Sequence, residues 1–436
     1  MKKILTALAL VPFGLWGIAA LPDLLVADPG FWNWRRALII GSGILSLWWM
    51  SGAMLLAVRP AWLERALGGL DRLYKIHKTI GITTGCLVFA HWMLEWLPKN
   101  LARQGWIEAP RRGPRPPEEW WVGLAKDTGE WAGYLLLALV VIALIRRIPY
   151  RYFRLVHKAF GLLFIAGAFH GLVLLPTDFW QQPVGWASAA VAAVGVVAAL
   201  WSLSGRIGRN RCHPARIDSV EHHPDDVIQV RCRLLAGWPG HRAGQFVLAN
   251  FGDIAEGSHP FTIASAWNAD EGTLTLAIKA LGDYTGKLTQ SLQAGRVVTL
   301  EGPYGSFTFD SPRFAAAQVW IAGGIGITPF LARLHELARS ERNEDGAVDL
   351  FYCTRNEETG FSKELPALCE AAGVRLHHRV TARDGQLDIE EVVARLPAEG
   401  GIWFCGPAAW GKTLSRQLQG IGPVASGFHA EAFEFR

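Results

Sequence analysis

The sequence predicts a multidomain membrane protein: a six-helix transmembrane bundle, then a small antiparallel β-barrel, then a doubly wound α/β domain. Three observations predict it. Six apolar runs long enough to cross a bilayer fill the first 204 residues, short stretches of alternating apolar and polar residues follow, and after Pro312 the pattern changes to strand, glycine-rich turn and helix. A chain of 436 residues with 50% hydrophobic content is too long for one ordinary domain and too apolar for a purely soluble enzyme. The expected domains are 1–204, 205–311 and 312–436.

The apolar runs read as helices over roughly 4–26, 36–58, 76–97, 131–146, 155–175 and 184–204. Lys2 and Lys3, the cluster Arg59, Arg65, Arg72, Lys75 and Lys78, then Arg146, Arg147, Arg151 and Arg154, and finally Arg206, Arg209 and Arg211 fall on one side of such a bundle. The positive-inside rule makes that side cytoplasmic, which places the chain as a multi-pass protein of a bacterial inner membrane with its N-terminus and second half inside. Lys2 and Lys3 before an apolar core also fit a signal peptide, but no small-x-small cleavage site follows, so a retained helix is expected. Much of the net charge of +5 sits in membrane-flanking loops, so membrane lipid and not nucleic acid is the implied neighbour. Many of the 20 tryptophans stand at helix ends, as interfacial anchors do.

His77, His91, His157 and His170 are the four histidines of the first 204 residues, and each lies in or beside an apolar run. They form pairs 14 and 13 residues apart. At ~1.5 Å per residue each pair separates its imidazoles by roughly 20 Å across a ~30 Å hydrocarbon core. Two helices carrying such pairs suit two haems, one above the other, each held by two histidines. A step of 14 returns to nearly the same helix face and a step of 13 does not, so the second helix must twist, tilt or relax, and Gly161, Gly167 and Gly171 offer places for it. The six cysteines contain no C-x-x-C, so an iron–sulfur cluster is not indicated and electrons must reach the haems by another carrier.

From about Arg216 to Phe309, segments 227–232, 246–251, 273–279 and 297–300 read as barrel strands. Beyond them, strands at 318–322, 348–353 and 402–405 alternate with helices ending near Ser340, over 363–372 and over 410–419. The turn from Gly323 to Phe330 departs from the spacing of the G-x-G-x-x-G fingerprint, yet a helix N-terminus after Gly326 and Thr328 offers N–H groups and a positive dipole to a pyrophosphate. Cys405-Gly406-Pro407 follows a later strand and would reach the same ligand. Thr354-Arg355, after the 348–353 strand, offers a bidentate partner for a 2′-phosphate, favouring NADPH with NADH as a second donor.

In these segments the chain resembles the ferric reductase and NADPH oxidase superfamily over nearly its whole length: a six-helix di-haem b domain fused to a ferredoxin-reductase-like module. His259-Pro260-Phe261-Thr262-Ile263-Ala264-Ser265 is similar to its flavin signature, Ile278 to Thr285 to its second flavin motif, and Gly323 to Phe330 and Cys405 to Pro407 to its nicotinamide motifs. The resemblance implies a flavin-binding barrel, with two haem b, FAD and NADPH or NADH as cofactors. It implies that Pro260 and Phe261 shape the flavin pocket and Thr262 approaches the flavin N5. His259 stands where many soluble relatives carry Arg and faces the flavin phosphate, and Lys279, Gly282 and Thr285 contact the pyrophosphate and ribityl chain. Gly323, Gly324, Gly326, Thr328 and Pro329 then hold the nicotinamide nucleotide with Cys405, Gly406 and Pro407, the nicotinamide lying near Thr262 and Cys405. The terminal Glu431 to Arg436 resembles the segment whose aromatic ring covers the flavin, here Phe435, with Phe433 as the other candidate.

The function implied is electron transfer from cytosolic NAD(P)H through FAD and both haems to an outer acceptor, dioxygen first. Ferric or cupric chelates are the alternative, and a haem subunit serving a periplasmic partner is a third reading; no obligate protein partner is evident. Glu95 stands where animal NADPH oxidases carry a histidine one turn beyond the outer ligand; a carboxylate there would repel superoxide and attract a metal cation, a departure that weakens the oxidase reading without removing it.

Overall fold

The computed structural model describes residues 2–26, 30–109, 117–145, 148, 150–252, 257–309, 317–340, 347–357, 360–396, 400–419 and 427–432. The chain divides into two units, Met1–Gly208 and Arg209–Arg436.

The first unit is helical: α1 (Lys2–Val26), α2 (Gly30–Val58), the short α3 (Ala61–Leu67), α4 (Leu70–Arg103), α5 (Trp120–Leu144), α6 (Tyr150–Val173) and α7 (Pro183–Leu203). Among the described residues, six of these are long and apolar enough to cross a membrane, all but α3. Large apolar side chains such as Leu10, Ile18, Val141, Leu162 and Val197 point outward, as a lipid solvent requires. Small residues sit between helices instead. A β-carbon at Gly195 would lie 2.5 Å from the Phe164 ring, and one at Gly41 2.8 Å from the Trp16 ring, so glycine is what lets these bulky rings into the bundle.

Two helices outrun the apolar runs that predict them. At 34 residues and ~1.5 Å each, α4 is about 50 Å long against a ~30 Å core, so its ends project. It also contains Pro98, which has no N–H and therefore frees the carbonyl of Leu94 four residues back. Arg35 of α2 supplies the missing donor, its Nε lying 2.8 Å from Leu94 O. Helix α5 starts eleven residues before the expected 131 because Lys126, Asp127 and Glu130 interrupt the apolar run while facing outward, and Ala125 just before them is fully buried. Helix α6 is unbroken, and its Gly161, Gly167 and Gly171 face Leu203, Met50 and Leu47.

The second unit opens with six antiparallel strands: β1 (Cys212–His223), β2 (Val227–Leu234), β3 (Phe246–Asn250), β4 (His259–Thr262), β5 (Thr273–Lys279) and β6 (Val297–Tyr304), in the order β4-β3-β6-β1-β2-β5. A bridge between Ile263 and Leu276 brings the end of β4 onto β5 and rounds the sheet into a barrel. Helix α8 (Asp283–Ser291) follows β5. Strands β1 and β4 lie outside the expected set. In β1 an irregularity between Ile217 and Ser219 breaks the alternation, and β4 has four residues.

The remainder is a parallel sheet, β11-β10-β7-β8-β9, built from β7 (Ala317–Gly323), α9 (Thr328–Arg339), β8 (Ala347–Thr354), α10 (Leu365–Ala371), β9 (Arg375–Val380), α11 (Thr381–Asp384), α12 (Ile389–Val393), β10 (Gly401–Gly406), α13 (Ala408–Gln419) and β11 (Phe428–Ala432). The order reverses between β7 and β10, whose carboxyl ends are neighbours there. Barrel and sheet share one apolar core, in which Val227, Ala264 and Phe307 meet Phe330, Leu331 and Trp403. Trp403 Nε1 donates to Thr308 O at 3.2 Å, and Ala243 N to Glu336 Oε1 at 3.1 Å.

His241, in the β2–β3 connection, is buried beside Trp238 and Trp267 and donates from Nε2 to Ser265 O at 3.0 Å. Burial pulls its pKa down to about 4, with the Ser265 bond opposing. The unfolded chain then takes up this proton first, so stability present above pH 6.5 is lost as pH falls towards 4 and changes no further below it. The full effect is about 3 kcal/mol. Chemical unfolding of the flavin-loaded full chain at pH 7 and pH 4.5, followed by flavin fluorescence, checks this: His241→Gln should flatten the acid slope.

Candidate functional site

The four histidines meet in two pairs. The rings of His77 (α4) and His157 (α6) have centroids 6.0 Å apart, and those of His91 (α4) and His170 (α6) 6.3 Å. Two imidazoles on opposite sides of one metal ion, at about 2 Å per metal–nitrogen bond, place their centres roughly 6 Å apart. Both pairs therefore fit bis-histidine haem ligation. Three rings have Nδ1 anchored on a neighbouring helix, which leaves Nε2 for iron. His77 Nδ1 lies 3.1 Å from Ala53 O, His91 Nδ1 3.1 Å from Ile39 O and 3.0 Å from Ser42 Oγ, and His170 Nδ1 2.9 Å from Ala125 O.

Glycines make room for the outer pair. A β-carbon at Gly129 would overlap the His170 ring, and one at Gly43 would lie 3.4 Å from His91 Cε1. Each stands four residues after the acceptor carbonyl, where a helical side chain would cover it. Neither glycine, nor Ser42, stands out in the sequence; a small residue four positions after an acceptor is a signal only once the acceptor is known.

Glu95, one turn beyond His91, is no free carboxylate. It pairs with both Arg35 and Lys99, and Arg35 also donates from Nη2 to Glu95 O at 2.9 Å. The three side chains carry a net charge of about +1, so the expected repulsion of superoxide and attraction for a metal cation are both overturned.

In the barrel, Thr262 ends β4 with its hydroxyl buried and unpartnered among the described residues. Such a group costs free energy unless a ligand supplies the bond, which fits a flavin edge at this place. Phe261 packs edge-on against Phe251 in the barrel core, next to Pro260. His259 stacks on Tyr284 of α8, ring centres 3.9 Å apart, which brings the first flavin motif onto the second. Lys279 is paired with Asp225, and Thr285 Oγ1 accepts from the backbone N–H of Leu281 at 2.9 Å and Gly282 at 3.1 Å. Thr285 shapes the α8 N-terminus, and both side chains are already engaged.

At the switch point the cradle is backbone. A β-carbon at Gly326 would overlap the Cys405 carbonyl, one at Gly406 would lie 3.3 Å from Gly323 Cα, and one at Gly323 2.9 Å from Pro407 Cδ. Gly324 has φ +55° with open space beside it. Thr328 and Pro329 then begin α9 on buried positions. The turn leads into the N-terminus of α9, whose positive dipole end suits a pyrophosphate. Cys405 is fully buried in the core, and its thiol pKa is raised by burial first and the Glu431 charge second. It lines the sheet end as an apolar side chain. Thr354 is buried and held by the Asn356 carbonyl at 2.8 Å and His378 Nε2 at 2.9 Å, while Arg355 beside it is exposed. Phe433 and Phe435 lie outside the described residues.

Residues 42–168 match the family described as ferric reductase like transmembrane component, and residues 213–308 match an FAD-binding domain. Ferric reduction oxidase 4 of Arabidopsis thaliana is 38% identical over 89 residues, 20% of this chain and 13% of that protein. Respiratory burst oxidase homolog protein E of Arabidopsis thaliana is 26% identical over 215 residues, 43% of this chain and 22% of that protein. The chain thus carries a ferric reductase-like transmembrane domain and an FAD-binding domain, and its relatives include ferric reduction oxidases and respiratory burst oxidase homologs. It spans less than a quarter of the length of either relative. The flavohemoglobin of Malassezia yamatoensis, solved with FAD and heme, has a TM-score of 0.50 at 17% identity over 92% of this chain and 98% of that one, a likeness of fold alone.

Two substitutions test these placements. Gly129→Leu should displace His170 and leave about half the haem per chain, read by pyridine haemochrome, with flavin content unchanged. Gly326→Ala should raise the KM for NADPH about tenfold or more, a loss of at least ~1.4 kcal/mol of binding, with both haem bands retained.

Proposed function

We propose that the chain is a multi-pass membrane oxidoreductase that draws electrons from NAD(P)H through FAD and two b-type haems to an acceptor across the membrane, most favourably dioxygen. The observation that carries the reading is the pair of histidine couples, each spaced at about 6 Å, in one chain with a flavin barrel and a nucleotide cradle. FAD supplies the conversion between hydride, two electrons at once, and the single electrons that each haem carries. The protein's part is placement. The glycine turn at 323–326 and the α9 N-terminus hold a dinucleotide, the Thr262 hydroxyl meets the flavin edge, and three of the four imidazoles are set by carbonyls that fix their tautomer. Arg355 is the residue we assign to a 2′-phosphate, and Phe435 the ring over the flavin. The positive-inside rule applied to the basic clusters supports a cytoplasmic side for the His77 and His157 end.

A second reading is reduction of a ferric or cupric chelate. The alignment with Ferric reduction oxidase 4 favours it, and so does the positive balance of Arg35, Glu95 and Lys99, which suits an anionic chelate as well as it tolerates superoxide.

NADPH oxidation by the detergent-purified, FAD-supplied chain, under air and argon, with and without ferric citrate, separates the two. Cytochrome c reduction in air that superoxide dismutase suppresses is the expected outcome. Turnover under argon that depends on ferric citrate, with little in air, replaces dioxygen by the chelate, and absence of a Soret band would sink both.

A further inference from the structure

The four imidazoles are not held alike. At the outer pair every Nδ1 has an oxygen partner, and His91 has two, the Ile39 carbonyl and Ser42 Oγ. Ser42 Oγ in turn donates to Ile39 O at 3.0 Å, so its lone pairs face the imidazole N–H. At the other pair His77 has the Ala53 carbonyl, but His157 Nδ1 is buried with no hydrogen-bond partner among the described residues. The His157 ring is clasped between Phe153 and Phe160 instead, with centroids 4.9 and 5.0 Å away.

Hydrogen bonding from Nδ1–H to oxygen makes an imidazole more basic, and a more basic axial ligand favours ferric haem, which carries one positive charge more than ferrous. An apolar clasp without an acceptor favours the less charged form. Both differences push the same way. We propose, on the haem reading above, that they set the His91–His170 haem at a lower reduction potential than the His77–His157 haem, and that Ser42 is a positioning residue widening the gap through His91. The His77–His157 haem is then reduced first. The outer haem, once reduced, is the stronger reductant, as one-electron reduction of a reluctant acceptor requires.

Anaerobic redox titration of the detergent-purified full chain, followed in the haem α-band, tests this. Two resolved components are expected, of which Ser42→Ala moves only the lower, and upward, while Ser42→Thr, which keeps the hydroxyl, leaves it in place. Should Ser42→Ala lose haem, Ser42→Cys puts a weaker acceptor at the same position and is read in the same way. A single unresolved component, an unmoved lower component at full haem content, or a shift confined to the higher one overturns the proposal. Failure of the haem reading looks different, because the unsubstituted chain would then show no α-band to titrate.

Discussion

The membrane unit depends on one kind of bond, from a histidine ring N–H to a carbonyl of another helix that is already used within that helix. A carbonyl oxygen has two lone pairs, and helix formation uses one. The second is open only where no side chain covers it, so the bond needs a small residue four positions on. Ile39 is followed by Gly43, Ala125 by Gly129 and Ala53 by Ala57. Each histidine so held is oriented, partnered and brought close to a neighbouring helix at once. In a bilayer, where an unpartnered polar group finds no water, these bonds set both which helices pack and how the imidazoles of each pair face one another.

The reductase half meets the same problem of close approach by removing side chains altogether. Gly326 sits so near the Cys405 carbonyl that no β-carbon fits, while β-carbons at Gly323 and Gly406 would press on Pro407 and on Gly323, so the two strand ends at the switch point can touch. What remains for a dinucleotide is main-chain N–H and a helix N-terminus. Thr262, by contrast, brings a single side-chain hydroxyl to a buried place and leaves it without a protein partner.

Much of this was legible in the residues, and the parts that were not have physical causes. Apolar length and histidine spacing announce a bundle with two ligand levels, because bilayer thickness and helix rise leave few alternatives. Boundaries were hidden where charge interrupts an apolar run, as at Lys126 to Glu130 in α5, and where a bulge breaks alternation, as in β1. The nucleotide turn was visible through its glycines. Cys405 was misjudged for a related reason: its place at a strand end suggested contact with the ligand, but strand parity turns its thiol into the core that barrel and sheet share. Lys279 and Thr285 lie in the expected motif, yet local partners occupy their side chains.

The outer rim shows most plainly why a residue's charge in the sequence is not the charge of its surroundings. Pro98 interrupts the hydrogen-bond ladder of α4 and leaves Leu94 O in need of a donor within the membrane boundary. Arg35 meets that need, and a guanidinium brought there for a carbonyl brings a positive charge with it. Glu95 answers that charge, and Lys99, one turn further on, tips the balance back to positive. The sign beside the His91–His170 pair therefore traces to a proline seven residues beyond His91, through a backbone carbonyl that no inspection of charged residues would have counted.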